Sequence, residues 1–222
     1  MAVNTASEAT TAFVAEQQRI IADYCTELDG KLPAYSYVPL TTDEQRVLVM
    51  QSRHYNEIRA GEIFGYWLPT TPEIEVKELL AEACHEEFMH ARLLRQRIQA
   101  MGADPFAYGP PPEHLALFHT LQQLDTTVER LAAFQLAGEG VAAHLIRRGL
   151  ESENVPAWIK EPYRRIIEDE DDHGSAPGAL LARLADTPEK QRLVRRGVAL
   201  GVSLRRRYFE ALDAMVFSGA RW

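Results

Sequence analysis

Cysteine is scarce. The chain has 222 residues and only two, Cys25 and Cys84, so no disulfide framework supports it. Positive charge is also short. Lys and Arg number 24 against 32 Asp and Glu, a net charge of −8, which disfavours a nucleic-acid partner. No apolar run approaches the roughly 18–20 residues that span a bilayer, so no membrane role is expected. The segment from Met1 to Thr11 lacks the basic-then-apolar pattern of a secretory signal. Together these absences make a reducing, cytoplasmic setting the expectation. Strand-like alternation never persists, and no low-complexity stretch or linker divides the chain. What remains is ordinary for a globular protein: 46% hydrophobic and 25% charged residues. One all-α domain over 1–222 is expected, with enough chain for a sizeable core.

The pattern predicts helices almost throughout. A first helix over about 7–28 stops at Gly30. Thr42 is placed to N-cap a helix over 43–67. A short turn at Pro69–Pro72 puts Pro72 at the first position of the next helix, which runs to about Gly102. A loop over 103–112 ends in three prolines and precedes one long helix over 113–151. Pro156 opens another to about Asp186, and a last helix covers 188–217. Short turns make the helix pairs flanking 69–72 and 152–156 antiparallel neighbours.

Acidic residues interrupt the apolar stripes of these helices at matched spacing. Residues three, four and seven apart share a helix face. Around Glu87 that face reads Leu80, Ala83, Cys84, Glu87, His90, Ala91, Leu94, Ile98. The competing Glu82-Ala-Cys-His85 lies on a polar face and reads as solvated. A second Glu-x-x-His, Glu170 with His173, follows Tyr163, Ile166 and Ile167 on its own stripe. Glu139 is the one charge on a face running from Val128 to Leu150. On the remaining helix Glu57, beside Met50, Ala60 and Phe64, is preferred to Glu62. Glu57 precedes Glu87 by 30 residues and Glu139 precedes Glu170 by 31. A buried unpaired carboxylate costs several kcal/mol or takes a proton. No lysine or arginine is evident near these four on their stripes. Two divalent ions would supply the missing charge of +4. Carboxylates with a few imidazoles and no thiolate suit iron or manganese. Cys84 reads as a small core residue, and His54, one turn before Glu57, as a core or rim histidine with an extra ligand as the alternative.

With those residues in place, the chain resembles the ferritin-like di-iron carboxylate superfamily over about 43–185. Members carry a Glu on each of two helices and Glu-x-x-His on two more. The matching positions are Glu57, Glu87 with His90, Glu139, and Glu170 with His173. The contexts Glu57-Ile-Arg-Ala60 and Glu87-Phe-Met-His90-Ala-Arg-Leu-Leu are similar to family motifs. The resemblance implies a four-helix bundle with additional N- and C-terminal helices and two irons, with manganese or a mixed Fe/Mn pair as alternatives. Glu87 with either Glu139 or Glu170 would bridge them. It also implies that Glu86 and Asp169 accept hydrogen bonds from the opposite ligating imidazole.

The implied activity is that of an oxygenase or oxidase using O2 as co-substrate on a small organic molecule. Size and ligand pattern are most similar to aldehyde-deformylating oxygenases, the catalytic subunit of phenylacetyl-CoA epoxidase and tRNA hydroxylases; the acidic charge argues against tRNA. Nothing in the chain binds flavin or nicotinamide, so electrons would come from a donor such as ferredoxin or a reductase. A homodimer is compatible with this reading. The alternatives are an iron-handling or peroxide-scavenging protein like ferritin or rubrerythrin, or a helical partner subunit. Rubrerythrins carry a Cys-x-x-Cys module and an extra glutamate where this chain has Ala142. Gly138, Gly140, Ala142 and Ala143 leave room beside Glu139 for O2 and substrate. Pro177 predicts a bend or break just past His173.

Overall fold

The computed structural model describes residues 7–173 and 176–220; for 170–173 it describes the helical backbone alone. Among the described residues every regular element is helical and none is a strand. No helix there is long and apolar enough to cross a membrane.

Helix α1 spans Glu8–Lys31, with the Ser7 hydroxyl accepting the Thr10 N–H at its start. It runs through Gly30 rather than stopping there. The end comes at Leu32, in the left-handed region at φ 48, whose N–H reaches the Leu28 carbonyl. Pro33 follows and disfavours helical backbone at the residue before it. Helix α2 is Asp43–Trp67, with a full capping box between Thr42 and Gln45, at the predicted position. A 3-10 turn, Leu68–Thr70, leads to α3, Ile74–Ala100, so Pro72 lies two residues outside that helix rather than at its first position.

The predicted continuous helix over 113–151 is four pieces. Helix α4 is Pro112–Gln122, and α5 is a single turn, Thr127–Arg130. Between them the chain breaks, because Thr126 caps a new start by accepting the Glu129 N–H and Arg130 Nε donates to the Leu124 carbonyl at 2.8 Å. From Leu131 to Glu139 the backbone is a π-helix, and α6 continues over Gly140–Glu151. Helices α7, Ala157–His173, and α8, Ala176–Leu184, follow where one bent or broken helix was predicted. Pro177 sits in the first turn of α8, where its missing N–H costs no helical hydrogen bond. Helix α9, Pro188–Ser218, is capped by Thr187.

One apolar core draws on helices from α1 to α9. Helices α2 and α3 share the most extensive interface, as the short turn between them requires, and α7 packs on both α3 and α6. Helix α9 lies on the π-helical segment. It approaches closely because Gly197 and Gly201 face that segment: a Cβ on Gly201 would collide with the Ala133 carbonyl oxygen, and one on Gly197 would lie 2.9 Å from Ala132 Cβ. Arg205 follows Gly201 by one turn on the same face and enters beside Gly138, where an added Cβ would stand 3.2 Å from its Nη2.

Candidate metal centre

Helices α2 and α3 bring Glu57, Glu87 and His90 together. One ligand atom from each lies within 4.8 Å of the others. Glu87 and His90 are 4% and 1% exposed, the only carboxylate and imidazole that the α3 apolar stripe carries inward. Glu82 and His85 of the competing motif are exposed, so helical phase separates the two motifs correctly. Glu62 is also exposed and pairs with Arg59, which leaves Glu57 as the inward acid of α2.

Glu57 and Glu87 line a cavity that Glu139 reaches from the end of the π-helix. The i→i+5 pattern adds a residue to the turn and changes which side chains face the core, a distortion often found at functional sites. Phe134, Ala137 and Gly138 are accordingly buried while Leu136 is only half-buried. Ala142, Ala143, Ile146 and Ile166 complete the apolar wall. Burial pushes the Glu139 carboxyl up to about 7, against the charge of Arg205; Glu57 raises it further and Arg53 opposes.

His90 is held from behind. Its Nε2 lies 3.3 Å from Asp169 Oδ2 on α7. Its Nδ1 is buried and has no hydrogen-bond partner among the described residues. One nitrogen of His90 thus meets an acid while the other is buried without a partner, and an open imidazole nitrogen is a donor that a divalent ion would take. The expected role of Asp169 thus has its geometry. Glu170 and His173, the other predicted motif, lie outside the residues whose side chains are described. So does the reciprocal pairing of Glu86 with His173.

Two arginines correct the expectation that no basic group lies near the acids. Arg53 and Arg205 both line the cavity and are 1% and 3% exposed. Arg205 Nη2 is 3.6 Å from Glu139 Oε1. The Arg53 guanidinium stacks 3.6 Å above the Tyr35 ring and donates to the Tyr35 carbonyl at 3.1 Å. Both were visible in the sequence pattern. Arg53 lies four residues before Glu57, on its face. Arg205 interrupts an otherwise buried stripe of Val198, Gly201, Tyr208 and Leu212.

Behind the cavity runs a polar network that the sequence did not reveal. Tyr108 Oη is 2.8 Å from His114 Nδ1, and His114 Nε2 is 2.6 Å from Asn56 Oδ1. Asn56 Nδ2 donates to the hydroxyls of Tyr35 and Tyr208, each at 3.3 Å. Tyr208 meets Ser52 at 2.6 Å. Burial holds His114 well below its ordinary pKa, so the ring is neutral. Its connections then run in one sense: it accepts from Tyr108 and donates to Asn56. His54 is elsewhere. Its Nδ1 meets the Pro105 carbonyl at 3.1 Å and its ring packs on Phe106, away from the cavity wall. Cys84 donates its thiol to the Gly61 carbonyl at 3.2 Å and is no ligand here. Trp67 is buried against Phe64 and Phe134, a packing role.

The chain matches no protein-family model, no curated protein and no solved structure.

Proposed function

We propose that this protein is a non-haem di-iron oxygenase or oxidase of the ferritin-like kind, acting on a small organic substrate. The observation that carries the proposal is the meeting of Glu57, Glu87 and His90, whose ligand atoms lie within 4.8 Å of one another, with Glu57 and Glu87 lining a cavity that Glu139 also lines. Glu57, Glu87 and His90 would hold one ion; Glu139, with Glu170 and His173, would complete the second place. Oxygen and nitrogen donors without a thiolate suit iron, manganese or a mixed pair.

When bound, such a pair of ions supplies two electrons to O2, to be restored by an external donor such as ferredoxin or a reductase. The chain's own groups do the rest. Asp169 engages Nε2 of His90 and would leave Nδ1 as the nitrogen available to an ion. Phe118, Ile146 and Ile166 keep the wall apolar and limit water. Burial raises the Tyr35 phenol above its ordinary pKa, so it keeps its proton. Asn56 donates to that oxygen, which leaves the Tyr35 O–H free to donate toward an acceptor in the cavity.

Anaerobic loading with ferrous iron, then O2 with a chemical reductant, tests the proposal. The expected result is O2 uptake that continues while reductant lasts and is lost in Glu87→Ala. Uptake that stops when the added iron is oxidised, with iron retained in large excess over the chain, would instead support storage.

A further inference from the structure

The two buried arginines have more hydrogen-bonding capacity than the described residues satisfy. Arg53 and Arg205 each bury Nε and Nη1 with no acceptor among the described residues. Arg205 meets Glu139 only at 3.6 Å, beyond a good hydrogen bond. Buried charged donors left open carry a large desolvation cost, so they call for a partner. Both guanidiniums line one cavity, and both act on the charge of Glu139. Charge counting points the same way. If two divalent ions neutralise the four glutamates, Arg53 and Arg205 leave the loaded site with two uncompensated positive charges. A glutamate that gives its charge to a metal also has less to offer Arg205.

We propose that Arg53 and Arg205 form the recognition site for the carboxylate of an organic acid substrate. The inference rests on the proposed metal reading, and it names the substrate class for that same site. A planar guanidinium presents paired N–H donors that match a carboxylate's two oxygens. Apart from Tyr35, Asn56 and the glutamates, the remaining wall is apolar, and Phe118, Ala142, Ala143, Ile146 and Ile166 suit the hydrocarbon part of such a molecule rather than an inorganic anion. The free space in the cavity is only about 20 Å³, room for roughly one water. Substrate entry therefore requires side chains to move, and Arg205 leaving Glu139 for the incoming carboxylate is the movement the charges favour.

The test uses the full chain loaded with zinc, which keeps the site redox-silent, and reads metal content on every sample. Binding of benzoate is compared with that of benzamide, its uncharged counterpart, by calorimetry. The expected result is benzoate affinity about tenfold or more above that of benzamide. Arg205→Gln and Arg53→Gln should each remove most of that preference while benzamide binding and metal content stay as in the parent. Equal binding of the two compounds by the parent protein overturns the inference without recourse to any variant. So does a benzoate preference that survives both substitutions in folded protein. Absence of bound zinc is a separate result that counts against the metal reading itself.

Discussion

At the scale of single residues, Glu57 and Glu62 show how one turn of helix decides a role. They are five apart on α2, yet one lines the cavity and the other is exposed beside Arg59. Glu57→Ala should therefore lower bound metal, read by elemental analysis, while Glu62→Ala leaves it unchanged; equal loss in both would reject the assignment. Glu139 makes a different prediction, for the metal-free protein. Its carboxyl pKa rises from an ordinary 4.5 to about 7 on folding, because of burial first. Between those values the folded chain binds the proton and the unfolded chain does not. Its contribution to stability is thus fully present below about 4.5 and is lost as pH rises through about 7. Thermal melts of metal-free protein should show the melting temperature falling over that window. Glu139→Gln should flatten that part of the dependence, since the amide does not titrate.

At the scale of elements, α9 and the π-helix act as a pair. Gly197 and Gly201 let α9 approach closely enough to deliver Arg205 into the cavity. Gly201→Ala would place a methyl group against the Ala133 carbonyl oxygen, and overpacking of this kind costs about 1–3 kcal/mol. Urea unfolding should show that loss. An unchanged midpoint would mean that α9 shifts easily and that the glycine is not required. Much of this level was readable in advance. Thr42 announced α2, and helical phase on α3 separated Glu87 and His90 from Glu82 and His85. The break at Leu124–Asp125 was hidden because apolar periodicity continues across it, although Thr126 with Glu129 three residues later is a start signal. The π-helix was not readable, since its composition, Leu131 to Glu139, is that of an ordinary apolar helix, and its packing against α9 involves residues far along the chain.

At the scale of the whole molecule, balance of charge links the fold to its proposed chemistry. The acids were found from local periodicity because each interrupts a stripe on its own helix. The arginine partner on α9 comes from more than 60 residues beyond Glu139, and only tertiary packing brings the two together. The carboxylates are not left wholly without counter-charge, and the meeting of Glu57, Glu87 and His90, whose Nδ1 has no partner among the described residues, supports the site more directly than charge deficit does. The measurement that tests this most directly is the metal content of the purified chain after anaerobic loading with ferrous iron, set beside that of Glu87→Ala. The account predicts about two ions per chain in the parent and a loss of most of the metal in the variant. Near-zero metal in the parent, or full retention in the variant, would contradict it.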